Sequence, residues 1–167
     1  MVAVAALDPV SDRRRGSLSA GGLMRILAID HGEKRIGVAI SDETATIARP
    51  LAILRHVSRT TDARRVVELA EEHGAGGIVI GESTDEEGAP NLAGRRAIRF
   101  ADTLRAMTEL TIVMWDESLS TRDAQEWRIT GGASRKRRGA ALDAEAAAMI
   151  LQSYLEALRA PDVGRKA

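Results

Sequence analysis

Apolar positions along this chain follow two rhythms, short unbroken runs and longer stretches at helical spacing. Met24 to Ile29 and Ile36 to Ile40 are two such runs on either side of Asp30 and a glycine-containing turn, which predicts a β-hairpin. A third strand is expected around Thr46 to Leu54, where Pro50 limits it to an edge or an end because proline has no N–H to give to a ladder. Val66, Val67, Leu69 and Ala70 fall at helical spacing within Thr61 to His73, and Gly74 is a stop. Gly77 to Gly81 is wholly apolar, as in a strand buried on both faces of a parallel sheet. An acidic loop with Gly88 and Pro90 precedes a helix from about Leu92 to Met107, and Thr111 to Trp115 is the next strand. Ser120 to Asp123 fits a capping box for a short helix reaching about Ile129, stopped by Gly131 and Gly132. Ser134 to Gly139 reads as a flexible basic loop, and Leu142 to Leu158 as a periodic last helix. The order implies an α/β fold, a mixed sheet with right-handed crossovers and flanking helices.

Composition narrows the chemistry. The 167 residues suit one domain, expected over residues 24–160, with residues 1–23 read as a disordered extension or an early start codon and 161–167 as a disordered tail. Lys plus Arg and Asp plus Glu number 24 each, so any affinity for nucleic acid has to come from local patches. Cysteine is absent, which removes disulfides, thiolate metal sites and cysteine nucleophiles, and leaves carboxylates and histidine as ligands. No apolar run approaches the roughly 20 residues of a membrane helix, and the leader's apolar stretch precedes its arginines, the wrong order for a signal peptide. A cytoplasmic protein is expected.

Three acids stand where elements begin or end: Asp30 after the first strand, Glu117 after the TIVMW strand, and Asp143 at the start of the last helix. Each has an ordinary structural role open to it, a turn residue for Asp30 and a helix-dipole partner for Asp143. Their joint placement is what points to chemistry, because open α/β sheets collect ligands at the carboxyl ends of parallel strands. Clustered carboxylates without cysteine suit Mg²⁺ or Mn²⁺. Two such ions about 4 Å apart clamp the attacking and leaving oxygens of a phosphodiester displacement.

The runs ILAIDHGEKRIGVAISDE, ARPLAIL, GGIVIGES, DESLSTRDAQ and LDAEAAAMILQSYL resemble, in that order, the YqgF/RuvX family. The resemblance spans about Arg25 to Leu158 and implies an RNase H-like fold related to the junction resolvase RuvC. The implied role is metal-dependent cleavage of nucleic acid, in processing of the 16S ribosomal RNA precursor or alternatively in Holliday junction resolution. Motif matching lays the family's acidic site on Asp30, Glu117 and Asp143. Two departures stand out. The family usually reads Asp-Glu-Arg where this chain has Asp116-Glu117-Ser118, and Gly-Leu-Pro where it has Gly81-Glu82-Ser83. Glu82 is open to two readings, a fourth metal ligand or a solvated loop residue.

Arg135, Lys136, Arg137 and Arg138 form the densest basic run, just before Asp143, and with Lys34 and Arg35 in the hairpin turn they are the candidates for holding phosphates. One Phe, one Tyr and two Trp offer few stacking platforms, so backbone or duplex-shape recognition is expected of structured RNA or branched DNA. His31 is left out of the catalytic set, His56 and His73 read as surface residues, and Trp115 and Trp127 as packing residues. Two rivals remain. Asp30-His31-Gly32 followed by Gly37 resembles the phosphate-binding hairpin of actin-type ATP-binding enzymes, but those duplicate the domain to enclose nucleotide. A non-catalytic nucleic-acid-binding module of the same fold is the other, favoured by the missing arginine and opposed by the retained acids.

Overall fold

The computed structural model describes residues 24–117 and 135–159, with side chains in the second stretch from Asp143 onward. The elements are β1 (Arg25–His31), β2 (Arg35–Ser41), β3 (Ala48–Arg55), α1 (Arg59–Glu72), β4 (Ala75–Glu82), α2 (Leu92–Met107), β5 (Thr111–Asp116) and α3 (Arg135–Arg159). The capping box at Ser120, the short helix to Ile129, Trp127, the leader and the tail lie outside the described residues.

The five strands form one mixed sheet in the order β3-β2-β1-β4-β5. The hairpin of β1 and β2 is antiparallel, with Asp30 opposite Gly37, and β3 continues it antiparallel on the edge. Pro50 pairs with Ala39 where the β2–β3 register shifts, the kind of edge position that tolerates a residue without an N–H. β4 lies parallel to β1 and β5 parallel to β4, as α1 and α2 require of crossovers.

Strand alternation divides the apolar residues into two layers. Leu27, Ile29, Val38, Ile78, Ile80, Ile112 and Met114 pack under α1 and α2 with Val66, Phe100 and Leu104. Ile26, Ala28, Ala39, Val79, Val113 and Trp115 pack under α3 with Ile150, Leu151, Tyr154 and Leu155. The middle strands are therefore apolar on both faces, which is why their sequence reads as continuous runs rather than alternation. Ser58 caps α1, its Oγ accepting from Thr61 N–H, and Asn91 caps α2 by accepting from Gly94 N–H. Trp115 Nε1–H donates to Ser153 Oγ at 3.1 Å and the indole meets Tyr154 edge-on, fixing α3 on its face. Gln152 ties the same helix to the edge strand, accepting from Ala48 N–H and donating to Thr46 O.

One expectation is corrected. The basic run at Arg135 to Arg138 is not a loop but the first turn of α3, which runs unbroken to Arg159. Arg, Lys, Ala and Leu are all strong helix formers, and the single Gly139 costs only about 1 kcal/mol against them.

Candidate functional site

The carboxyl ends of β1, β4 and β5 gather at one end of the sheet, and three acids meet there on the α3 face. Asp30 shares that face with Ala28 by the alternation of β1. Its cross-strand neighbour Gly37 has no side chain, and the backbone of α3 fills the space: a Cβ on Gly37 would lie 1.8 Å from Asp143 O. Asp143 is thus brought over the strand pair that carries Asp30. On the other side, β1 and β4 pair as far as Ile29 with Ile80, so Gly81 lies one step further, beside Asp30. A Cβ on Gly81 would stand 2.8 Å from Glu117 Oε1. Two glycines therefore admit Asp143 and Glu117 to either side of Asp30.

The three carboxylates do not close on one point. Among the described residues no three His, Asp or Glu side chains are placed to share an ion. Asp143 Oδ2 instead takes a hydrogen bond from Arg35 Nε at 3.1 Å, with both side chains part-exposed. Opposite charge at hand is the cheaper arrangement for a carboxylate facing two others. The donors are all oxygens at one sheet end, the kind a hard divalent cation takes.

Glu82 lies elsewhere. It alternates with Gly81 and so points to the α1 and α2 face, paired across the ladder with Asp116. Burial, and next the Asp116 charge, push its carboxyl above the ordinary range. Asp116 also receives Thr84 Oγ1–H at 3.5 Å. Lys34 is exposed in the hairpin turn, where its carbonyl accepts His56 N–H. Arg135, Lys136, Arg137 and Arg138 lead into Asp143 along α3.

A second group on the α1 and α2 face escaped sequence reading. His31, next to Asp30, turns to the opposite face and stacks on Phe100 with ring centroids 4.6 Å apart. His56 is exposed, as expected, yet its Nδ1 stands 2.5 Å from Oδ2 of the fully buried Asp62. Asp62 Oδ1 also accepts Val57 N–H. Burial holds His31 below its ordinary pKa; the buried Asp62 opposes this, and His56 and Arg96 add to it. The signal lay in the apolar stripe of α2, where Arg96 is four residues before Phe100 and so on the inward side.

Comparison with known proteins extends over nearly the whole described chain. The RuvX family profile, described as Holliday junction resolvase, matches residues 24–157. A protein of Caldanaerobacter subterraneus subsp. tengcongensis is 37% identical over 134 residues, covering 80% of this chain and 96% of its own. One of Desulforudis audaxviator is 34% identical over 132 residues, covering 79% and 94%. Both carry the name "Putative pre-16S rRNA nuclease". Among solved structures, Thermus thermophilus RuvC in complex with a Holliday junction substrate superposes with a TM-score of 0.51 at 15% identity. The match covers 80% of this chain and 96% of that one. At that identity the likeness shows the fold, the RNase H-like arrangement expected from sequence. No helix among the described residues is long and apolar enough to cross a membrane.

Proposed function

This chain belongs to the RuvX family, and from that premise we propose that it is a nuclease hydrolysing phosphodiester bonds in structured nucleic acid, with 5′-end processing of precursor 16S ribosomal RNA as its role. The observation that carries this reading is the pair of side-chain-free positions, Gly37 and Gly81, that bring Asp143 and Glu117 beside Asp30. A scaffold has no need to place three acids on one face at one end of the sheet.

Mg²⁺ or Mn²⁺ is the cofactor of this reading, with Asp30, Glu117 and Asp143 to hold it, and such an ion when bound neutralises charge on the attacking and leaving oxygens. The chain's own part is to position. Asp30 lies near the end of β1 and Glu117 directly after β5, whereas Asp143 rides on α3 and pairs with Arg35. The basic run before Asp143 and Lys34 in the turn hold the phosphate backbone, a contact that fixes register without reading sequence. Holliday junction cleavage is the second reading, carried by the description of the family that matches.

The test is Asp30→Asn, which keeps shape and removes charge. We expect Mn²⁺-dependent cleavage of precursor ribosomal RNA to fall by about 10²-fold or more while RNA binding and melting temperature hold. Junction DNA run beside the RNA separates the two readings. Full cleavage by the folded variant removes the three-acid mechanism; no cleavage of either substrate by the wild type leaves a binding module.

A further inference from the structure

On the face of the sheet opposite the carboxylates, a cleft of about 390 Å³ opens between the end of β1 and the starts of α1 and α2. Its walls carry Arg59, Arg96 and Arg99 together with His31 and His56, with Gly32 and Glu33 at the hairpin turn. Two of its polar atoms, Arg96 Nε and His31 Nδ1, are buried without any hydrogen-bond partner. Buried donors are nearly always satisfied in folded proteins, so two orphans in one cleft mark the place of an absent partner. Asp62, whose charge reaches His31, is already engaged by His56 and Val57 N–H, and Glu33 is exposed on the turn. Three guanidinium groups face two carboxylates there, one of them taken. The cleft is cationic, and its charge comes from its three arginines.

We infer that this cleft is a second binding site that takes a phosphate group of the nucleic acid, either a backbone phosphate or a strand's terminal phosphate. Arginine presents its N–H groups as a planar fork that matches two oxygens of a phosphate, and Arg96 Nε–H is one tine left unused. The volume lies in the range of small-ligand pockets, enough for a phosphate with part of its sugar. Its position suits the nuclease reading, on which the inference rests for the source of the phosphate. His31 and Asp30 are consecutive in β1, so the cleft and the carboxylates lie at the same end of the sheet, on opposite faces. The alternation that turns Asp30 toward α3 turns His31 toward α2, which keeps the bound phosphate away from the acids.

The experiment is a titration of the full chain with inorganic phosphate at constant ionic strength, in EDTA, following the side-chain N–H signal of Arg96 and the ring signals of His56 by NMR. We expect saturable shifts at both residues, the His56 shift being abolished in Arg96→Gln and both being weakened in Arg99→Gln, whose exposed side chain is dispensable for folding. Arg96→Lys, matched to wild type by melting temperature, keeps the charge and loses the fork, and should bind phosphate less tightly. Two oligonucleotide arms assign the source. Tighter binding of a 5′-phosphorylated strand than of its 5′-hydroxyl twin, lost in Arg96→Gln, identifies a terminal phosphate. Equal binding of the twins, with the salt slope of Arg96→Gln lower by about one unit, identifies a backbone phosphate. Absence of saturable shifts at Arg96, or oligonucleotide binding and salt slope unchanged in Arg96→Gln, overturns the inference. None of these readings needs cleavage, so a failed Asp30→Asn test leaves them standing.

Discussion

Gly37→Ala is the sharpest perturbation of the proposed site, because it adds one methyl group where a helix backbone already sits. The new Cβ would lie 1.8 Å from Asp143 O and 2.3 Å from Asp143 C, with Ala144 N at 3.0 Å. Carbon and oxygen atoms rest at about 3.5 Å, so α3 has to retreat by more than about 1 Å, and backbone cannot turn aside as a flexible side chain would. Overpacking of this kind costs about 1–3 kcal/mol, which in a chain of this size lowers Tm by roughly 3–10 °C. The same retreat carries Asp143 away from Asp30, and a misplacement of about 1 Å is enough to lower a rate about 10²-fold. Gly77→Ala is the matched control: its Cβ would meet only Thr111 O, at an ordinary 3.6 Å, so neither Tm nor cleavage should fall. Thermal melts and Mn²⁺-dependent cleavage on both variants decide the matter. A Gly37→Ala protein that melts with the wild type and cleaves at its rate would refute the close approach of α3 to β2, and with it the reason given for Asp143 lying beside Asp30.

Three further outcomes follow from other contacts. Arg35→Gln frees Asp143 from its ion pair, so Mn²⁺ should bind several-fold more tightly by calorimetry, while stability changes by less than about 1 kcal/mol because both side chains are part-exposed; unchanged or weaker Mn²⁺ binding counts against Arg35 as the competitor. Asp62→Asn removes the charge that His56 and Val57 N–H address in a fully buried position, and should lower stability by about 1–3 kcal/mol, read as a lower urea midpoint with the m-value unchanged. Asp42 accepts from Thr44 Oγ1–H, Thr46 N–H and Ile47 N–H, which pull its carboxyl down to about 2 from 3.8. A depressed carboxyl contributes stability that is complete above the unfolded value and lost as pH falls through the folded one. Wild type should therefore lose stability relative to Asp42→Ala between about pH 4 and pH 2, and parallel pH profiles would contradict this.

The elements were legible because this sheet is buried on both faces and its strands announce themselves as apolar runs. Thr111 to Trp115 needs no partner to be recognised, and Pro50 marks its strand as an edge by what proline lacks. The basic run that opens α3 reads as a loop by its charge density, whereas backbone propensity, which favours a helix through Arg and Lys, decides the outcome. At the site the legible part was again local: acids at element ends. What sequence could not show is which face each acid takes when a strand runs out, and here one residue decides. Asp30 and His31 are neighbours in the chain yet turn to opposite layers, one toward α3 and Asp143, the other toward Phe100 and Arg96. Glu82 and Gly81 divide in the same way, which sets Glu82 beside Asp116 rather than beside Glu117. Period-two alternation was available in the sequence, but its phase relative to the layers was not, since apolar residues on both faces erase the pattern that would reveal it. Burial on both sides, which makes these strands easy to find, thus hides the orientation of the polar residues that end them, and only the packed helices restore it.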